Sequence, residues 1–312
     1  MEQELLFKMS HNEEHISFFA LTYFSRILAF RALKLIVRHF APLGRFFETD
    51  RDHLRKFFLE HMEFMAFNQV DRMLSPEGKQ KAFDYAKRMV KSIEKNPNEF
   101  FYMVNDPSFP RRLRAVPYPV DWIFKYGESK SNDVDSAVAI VGTRRCTKEA
   151  LANTRSITSI LVDNSFTTIS GLAHGIDTEV HKVTLDRKGR TFAVLGTGIN
   201  RIYPKNNTKL LEDILTSGGS VFTEYLPDSN GNRTSFIMRN RIIAALSDSI
   251  IAVEGEATGG TAHTIRFGAE LGKKLIGVES TRNVSLNALI KECGGRIFSV
   301  SKIDKLVEFL RG

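Results

Sequence analysis

The sequence predicts an α/β fold: a mostly parallel, Rossmann-like sheet with helices on both faces, preceded by a small all-helical domain. From residue 137 onward, short apolar runs typical of buried strands alternate with segments of helical periodicity, as expected of a parallel sheet with crossover helices. Between about residues 14 and 94, apolar residues recur only at helical spacing. The chain has 312 residues, 42% of them hydrophobic, which is enough for two domains.

The predicted helical domain covers residues 1–100. Apolar side chains such as Phe19 and Ile27 follow helical spacing, with lysine and arginine between them. The segment 41–44 interrupts the pattern, and Asp50 is expected to cap the helix that follows. The basic residues suit the solvent-exposed face of a helical bundle, although a helix lying on a membrane surface would show the same pattern.

An extended connector is predicted over residues 101–135. It contains several prolines between Pro107 and Pro119, leads into a short strand over residues 122–126, and ends in a polar loop over residues 129–135.

The Rossmann-like domain is predicted over residues 136–312. We expect strands at residues 137–141, 166–169, 191–195, 220–223, 249–253, 274–278 and 296–298. We expect helices near residues 148–162, 176–187, 208–216, 239–246, 262–271 and 286–292.

Glycine-rich loops follow most of these strands. The loops after parallel strands meet at one edge of the sheet, where open α/β folds bind ligands. Glycine permits close approach of the backbone, and the amides at the start of a helix favour anions. The alternative is that glycine only makes tight turns between strands and helices. Because four of the five loops carry glycine, we expect an anion or nucleotide site; the loops are 142–145, 170–177, 196–198, 223–224 and 254–263.

Positively charged side chains are expected at the same edge. Arginine on a short turn is a planar, permanently charged donor that suits phosphate. The candidates are Arg144, Arg145, Arg201, Lys205, Lys209, Arg239 and Arg241. One of the last two could instead pair with Glu224 or Glu254 and lock adjacent loops. Tyr203 and Phe236 could stack on bases or pack in the core.

Motifs of enzymes are missing or incomplete. The dinucleotide fingerprint fails because Arg201 stands where its third glycine belongs, and neither a P-loop nor a G-x-S-x-G motif is present. His174, Asp177 and His181 could be metal ligands, but an Asp177–His181 hydrogen bond would suit the same spacing. We therefore predict no catalytic residue, no metal and no cofactor.

Bulk composition favours a cytoplasmic protein. Cys146 and Cys293 have no metal-type spacing and fit a reducing compartment. The N-terminus lacks the pattern of a signal peptide, and the apolar stretch 16–25 is too short to span a bilayer. The formal net charge of +8 is compatible with a polyanionic partner.

Several motifs in the expected order make the chain resemble the DprA/Smf family of DNA-processing proteins from about Asp106 to the C-terminus. They are Asp106-Pro-Ser-Phe-Pro110, Val141-Gly-Thr-Arg144, Ser170-Gly-Leu-Ala-His-Gly-Ile-Asp177 with His181, Gly196-Thr-Gly198 with Tyr203-Pro204 and Asn207, and Phe236-Ile-Met-Arg239-Asn-Arg-Ile-Ile243. The sequence departs from the family pattern at Val180, where the family has a small residue, and at Ile237, where it has proline. The helical domain is similar in position to the family's SAM-like domain.

The resemblance implies a protein without enzymatic activity that binds and protects single-stranded DNA and loads the RecA recombinase onto it, as in natural transformation. It also implies a homodimer, and a role in repair or phage defence would use the same surface. We expect no membrane partner. Carried onto this sequence, the expected DNA contacts are Arg144, Arg145, Ser170, Gly171, His174, Gly175, Lys209, Arg239, Asn240 and Arg241.

Two other functions share parts of this pattern. LOG-type nucleotide phosphoribohydrolases carry P-G-G-x-G-T-x-x-E, but here Arg266 stands in place of the glutamate, so hydrolysis would lack its acid–base group. A domain that senses a small nucleotide without turnover would keep the glycine loops but would not need arginine on so many of them.

Overall fold

The computed structural model describes residues 2–25, 28–127 and 136–312, except for the side chains of residues 2–11, 65 and 304. Ile27 and the loop predicted over residues 129–135 lie outside the described residues. The chain divides into two compact units, Met1–Pro97 and Asn98–Gly312. Among the described helices, none combines the length and the apolar character needed to cross a membrane.

The regular secondary structure of the described part of the first unit is entirely helical. Its helices are α1 (Glu2–Thr22), α2 (Phe30–His39), α3 (Arg45–Glu48), α4 (Arg51–Glu60), α5 (Phe64–Phe67), α6 (Val70–Leu74) and α7 (Pro76–Lys95). The Asp50 side chain accepts hydrogen bonds from the amides of Asp52 and His53 and caps α4, which confirms the predicted helix start. The core is rich in aromatic rings, among which Phe46 and Phe58 are fully buried.

The second unit is built on one nine-stranded sheet. Its strands are β1 (Glu99–Met103), β2 (Trp122–Gly127), β3 (Ala137–Val141), β4 (Thr167–Ser170), β5 (Thr191–Val194), β6 (Ser220–Thr223), β7 (Ser249–Ala252), β8 (Lys274–Val278) and β9 (Arg296–Phe298). The spatial order is β1-β2-β6-β5-β4-β3-β7-β8-β9. The β1–β2 and β2–β6 pairs are antiparallel, and the other pairs are parallel.

Helices cover both faces of this sheet. They are α8 (Lys148–Asp163), α9 (Ile176–Asp186), α10 (Thr208–Thr216), α11 (Arg233–Leu246), α12 (Gly260–Glu270), α13 (Val284–Glu292) and α14 (Asp304–Arg311). Along β3, Val138 belongs to the same core as Ile157 of α8, whereas the next residue, Ala139, belongs to the core that contains Ile242 of α11. Successive side chains of a strand point to opposite faces, so a strand buried on both sides is apolar throughout.

The predicted Rossmann-like sheet is confirmed, but two local expectations need correction. The segment 101–135 is not a plain connector, because β1 and β2 extend the sheet beyond β6 as antiparallel strands. Helix α11 begins at Arg233 rather than near residue 239, because Asn232 and Ser235 form a capping box there.

The order in which strands are added to the sheet reverses at β3. From β3 the chain proceeds outward through β4, β5 and β6, and it then returns to the other side of β3 to form β7, β8 and β9. The crevice beyond the carboxyl ends of β3 and β7 is therefore the topological switch point, where open α/β sheets bind ligands.

Candidate nucleic-acid interface

A groove of about 1140 Å³ lies at this switch point. Its walls come from the loops after the parallel strands β3 to β8, from the first three turns of α11 and from the start of α12. Six arginines line it: Arg144, Arg145, Arg201, Arg233, Arg239 and Arg282. Of the seven basic residues expected at this edge, four line the groove, and Lys205, Lys209 and Arg241 do not.

Arg144 lies against a pair of aromatic rings in the groove. Its Cζ is 5.9 Å from the ring centroid of Tyr203 and 5.4 Å from that of Phe236. The two ring centroids are 5.4 Å apart, and the rings are tilted by 47°. Such cation–π contacts hold a guanidinium in place. Tyr203 is 52% exposed, so the alternative of core packing does not hold for it.

The groove carries an excess of positive charge. Four further arginines are exposed and form no ion pair with any described residue; they are Arg145, Arg201, Arg233 and Arg282. Of the acidic residues in the lining, Glu256 is exposed. The buried carboxylate of Glu254 accepts hydrogen bonds from the Thr147 amide and, at 2.5 Å, from its hydroxyl. This carboxylate therefore organises the loop after β3 and is not free to face a ligand.

Arg239 forms a buried part of the groove wall and is 5% exposed. Its Nη1 donates to the carbonyl oxygen of Gly171 at 2.5 Å and to that of Val194, and its Nε donates to Asn240 Oδ1 at 3.0 Å. Burial lowers the pKa of Arg239 to about 10, and the nearby Asp177 carboxylate opposes that shift. The guanidinium therefore stays charged at neutral pH. Its Nη2 makes no hydrogen bond with any described residue.

Gly171 makes room for this guanidinium. A Cβ added at Gly171 would lie 2.4 Å from Nη1 and 2.5 Å from Cζ of Arg239. Such distances are far below van der Waals contact, so a larger residue would displace Arg239. The lack of a side chain at Gly171 therefore lets the Arg239 guanidinium lie against the backbone there.

The amides at the start of the 170–177 turn are already occupied. Asp177 Oδ2 accepts from the amides of Gly171 at 3.2 Å and Ala173 at 3.3 Å. The Ser170 hydroxyl donates to the carbonyl oxygen of Ile140 at 2.7 Å. Ser170 and Gly171 are also buried. Their polar groups are thus satisfied within the fold, and their contact with a phosphate stays a prediction.

Arg241 is buried and does not belong to the exposed arginines of the groove. It is 1% exposed and forms a bidentate pair with the buried carboxylate of Glu224, with N–O distances of 2.6 and 2.7 Å. Its Nε donates to the carbonyl oxygen of Tyr118 at 2.7 Å. Of the two readings left open from the sequence, pairing with Glu224 is the one found for Arg241.

Three other expected contacts do not line the groove. Lys209 is exposed and pairs with Asp213 at 3.0 Å, which raises the pKa of the lysine. His174 is exposed in the turn before α9. Gly175 has a φ of 78°, and a Cβ there would lie 2.5 Å from the Thr143 carbonyl oxygen, so its role is in the backbone.

Asp177 and His181, which were suggested as metal ligands, form hydrogen bonds within the protein instead. Among the described residues, no three His, Cys, Asp or Glu side chains are placed to hold a metal ion. His181 is fully buried, with Nδ1 2.8 Å from Thr191 Oγ1, and burial lowers its pKa to about 3. Asp177 binds the amides of its own turn, and no hydrogen bond joins it to His181 among the described residues.

Sequence reasoning missed Arg233 and Arg282. Arg233 is the first residue of α11, and the available signal was the Asn232–Ser235 capping pattern. Arg282 lies in the turn after β8, at the edge to which all loops after parallel strands contribute. Neither arginine lies in a glycine motif, so the glycine pattern of the sequence did not indicate them.

Comparison with protein families and curated proteins gives a consistent result. The family model for DNA recombination-mediator protein A matches residues 100–311. Protein Smf of Synechocystis sp. is 31% identical over 81% of this chain and 61% of its own length. DNA processing protein DprA of Streptococcus pneumoniae is 36% identical over 55% of this chain and 61% of its own length. The chain thus spans about three-fifths of the length of these relatives.

Two solved structures are also similar. The structure of DNA processing protein A from Streptococcus pneumoniae has a TM-score of 0.60 at 26% identity and covers 83% of this chain and 93% of that chain. A structure of DNA processing protein A from Helicobacter pylori, which concerns its single-stranded DNA binding mode, has a TM-score of 0.59 at 26% identity. It covers 67% of this chain and 96% of that chain.

Proposed function

Because this chain belongs to the family of DNA recombination-mediator protein A, the DprA/Smf family, we propose that it binds single-stranded DNA in the arginine-lined groove. One observation carries the proposal: five exposed arginines and a half-exposed tyrosine line the same groove at the switch point of the sheet. The relative from Helicobacter pylori, described with its mode of binding single-stranded DNA, supports the same class of ligand.

The phosphates of the strand are bound by side chains in this proposal. Guanidinium groups match phosphate oxygens in shape and charge. The five exposed arginines are Arg144, Arg145, Arg201, Arg233 and Arg282. Because these side chains are exposed to solvent, they suit a backbone of repeating charge and carry no information about base sequence.

The bases are held by Tyr203 in this proposal. Its half-exposed ring is supported by Phe236 and Arg144. Every base has a π-face, so an aromatic ring binds bases with little preference among them. A base can cover this ring only after it leaves the stack of a duplex, which favours single strands.

The groove offers no acid–base machinery among the described residues. The carboxylates of Asp177 and Glu254 are occupied by amides and a hydroxyl. Arg266, at the position of the hydrolase glutamate, is exposed and donates to the carbonyl oxygen of Ala257 at 3.1 Å. We therefore propose a binding protein rather than a nucleotide hydrolase.

The first test is the salt dependence of oligonucleotide binding, measured by fluorescence anisotropy. For single strands the slope of log K against log salt is about −0.7 for each neutralised phosphate, so five arginines give a slope of about −3.5. Arg144→Ala should weaken binding and reduce this slope by about 0.7.

Arg111→Ala is the matched control, because Arg111 is exposed and does not line the groove. Both variants lose one positive charge, so equal effects would mean that only net charge matters and would contradict the proposed site. Equal affinity for a mononucleotide would point to a nucleotide sensor, and release of free base from a nucleoside monophosphate would point to a hydrolase.

We extend the proposal to the cellular role that family membership suggests: loading of RecA onto single-stranded DNA by a homodimer in the cytoplasm. The dimer is tested by light scattering, where a particle of twice the 35.3 kDa chain mass is expected and a monomer at all concentrations would refute it. Loading is tested by whether this protein shortens the lag of RecA ATP hydrolysis on a covered single strand.

A further inference from the structure

We propose that the groove contains a subsite for the terminal phosphate monoester of a DNA strand, formed by the first turn of α12 together with Arg239. This inference rests on the proposed function, because it concerns how the strand sits in the same groove. We call Arg239, Asn240, Thr261 and Thr264 the groove floor; all four line the groove and are at most 8% exposed.

The first turn of α12 presents free amides to the groove. The helix begins at Gly260, its N-cap Gly259 provides no side-chain hydrogen bond, and no acidic residue lies in its first turn. The first amides of a helix have no acceptor within the helix, and the positive end of the helix dipole favours an anion. Gly259 and Gly260 both line the groove.

Two threonines next to these amides carry hydroxyls that open to the groove and have no partner among the described residues. Thr261 is 6% exposed and Thr264 is 1% exposed, and neither hydroxyl makes a hydrogen bond with any described residue. A ligand oxygen in the groove would satisfy both hydroxyls.

Arg239 adds a fixed positive charge to the same place. Asn240 connects it to α12, since Asn240 Oδ1 accepts from Arg239 Nε and its Nδ2 donates to the Gly260 carbonyl oxygen at 3.2 Å. The Arg239 Nη2 remains without an acceptor among the described residues. A guanidinium nitrogen, two hydroxyls and a helix terminus thus belong to the lining of the same groove, and Asn240 links the guanidinium to the helix terminus.

These donors suit the end of a strand better than its interior. An internal phosphodiester carries one negative charge and continues into a nucleotide on each side. A terminal monoester carries about −1.5 to −2 charges at neutral pH and continues on one side only. Donors that are 1% to 8% exposed leave little room for two flanking nucleotides. The buried carboxylates of Asp177 and Glu254 are held by other donors, and Glu256 is exposed to solvent.

The test compares three oligonucleotides of one sequence, carrying a 5′-phosphate, a 3′-phosphate or no terminal phosphate. We expect one of the two phosphorylated strands to bind about tenfold more tightly than the unphosphorylated strand, as for a few charge-assisted hydrogen bonds. Inorganic phosphate should compete away this preference. The double substitution Thr261→Val and Thr264→Val should reduce the preference to less than twofold, whereas Thr261→Ser should retain it.

Thr216→Val serves as the matched control, because Thr216 is exposed and does not line the groove. Equal affinity for all three strands would overturn this inference and leave the proposed function standing. Failure to bind any strand would instead overturn the proposed function. A preference that survives in the folded Thr261→Val, Thr264→Val variant would place the terminal phosphate elsewhere.

Discussion

Replacing Arg241 with alanine is expected to destabilise the second unit rather than to remove a DNA contact. Both members of the Arg241–Glu224 pair are 1% exposed, and two N–O contacts of 2.6 and 2.7 Å join them. The same guanidinium donates to the backbone carbonyl of Tyr118. Alanine would leave the carboxylate of Glu224 buried without this cation and would release the segment before β2.

The loss should be large because a buried charge without its partner is costly. Removing one member of a buried ion pair costs about 3–5 kcal/mol, which corresponds to a fall in Tm of about 10 °C for a unit of this size. Glu224→Gln leaves the Arg241 cation without its carboxylate but should cost less, because that guanidinium still donates to the amide oxygen and to the backbone carbonyls of Tyr118 and Met238. The effects of the two substitutions should not be additive, because each removes the same Arg241–Glu224 ion pair.

Urea unfolding followed by tryptophan fluorescence measures this loss directly. Trp122 is the single tryptophan of the chain. It is fully buried, and its Nε1 donates to the Glu224 carbonyl oxygen at 2.6 Å, so its emission reports the unit that contains the pair. Arg111→Ala is the exposed control. A loss below about 1 kcal/mol for Arg241→Ala, or additive losses in the double variant, would refute the reasoning.

Three further predictions follow from the same contacts. Tyr203→Ala should weaken oligonucleotide binding by about 1–3 kcal/mol, the value of one stacked base, and Tyr203→Phe should bind like the parent in anisotropy titrations. Gly171→Ala should lower urea stability by about 1–3 kcal/mol, because its Cβ would overlap the guanidinium of Arg239; unchanged stability would show that Arg239 moves freely. The free energy of unfolding should fall as the pH drops from 6.5 to 5 because of His181. The pKa of this histidine is about 3 in the folded protein and ordinarily 6.5, so only the unfolded chain takes up a proton in this range. The slope should be about 1.4 kcal/mol per pH unit, and His181→Gln should flatten that part of the urea-derived profile.

The sheet could be predicted because its signals are local. Most strands after residue 136 are short and largely apolar, and each is followed by an α-helix that begins 6 to 14 residues after the strand ends. Strand β1 was missed because Glu99–Met103 precedes a proline-rich segment, which favoured a connector. Its place in the sheet depends on pairing with β2 and, through it, with β6, which is contact across the chain that no local pattern reveals.

The arginines of α11 could be predicted only in part. With the helix starting at Arg233, Arg239 and Arg241 are two residues apart and point about 200° apart around its axis. Arg239 therefore faces the groove and Arg241 faces the segment before β2. The expectation that both contact DNA came from the resemblance to the family, which carries a motif over without showing the direction of each side chain around the helix.

The occupied amides of the 170–177 turn have a consequence for base preference. Since Asp177 already binds the amides of Gly171 and Ala173, the proposed site would hold a strand through the exposed arginines of the groove and the ring of Tyr203. Reading of base identity needs fixed donors and acceptors at base edges, and the fixed polar groups are confined to the groove floor. We therefore expect homopolymers of dT, dC and dA with equal length and equal ends to bind within about tenfold of one another, as sequence-tolerant binders do. Competition titrations at one salt concentration measure this, and a spread above about a hundredfold would mean that buried groups such as Asn240 contact the bases.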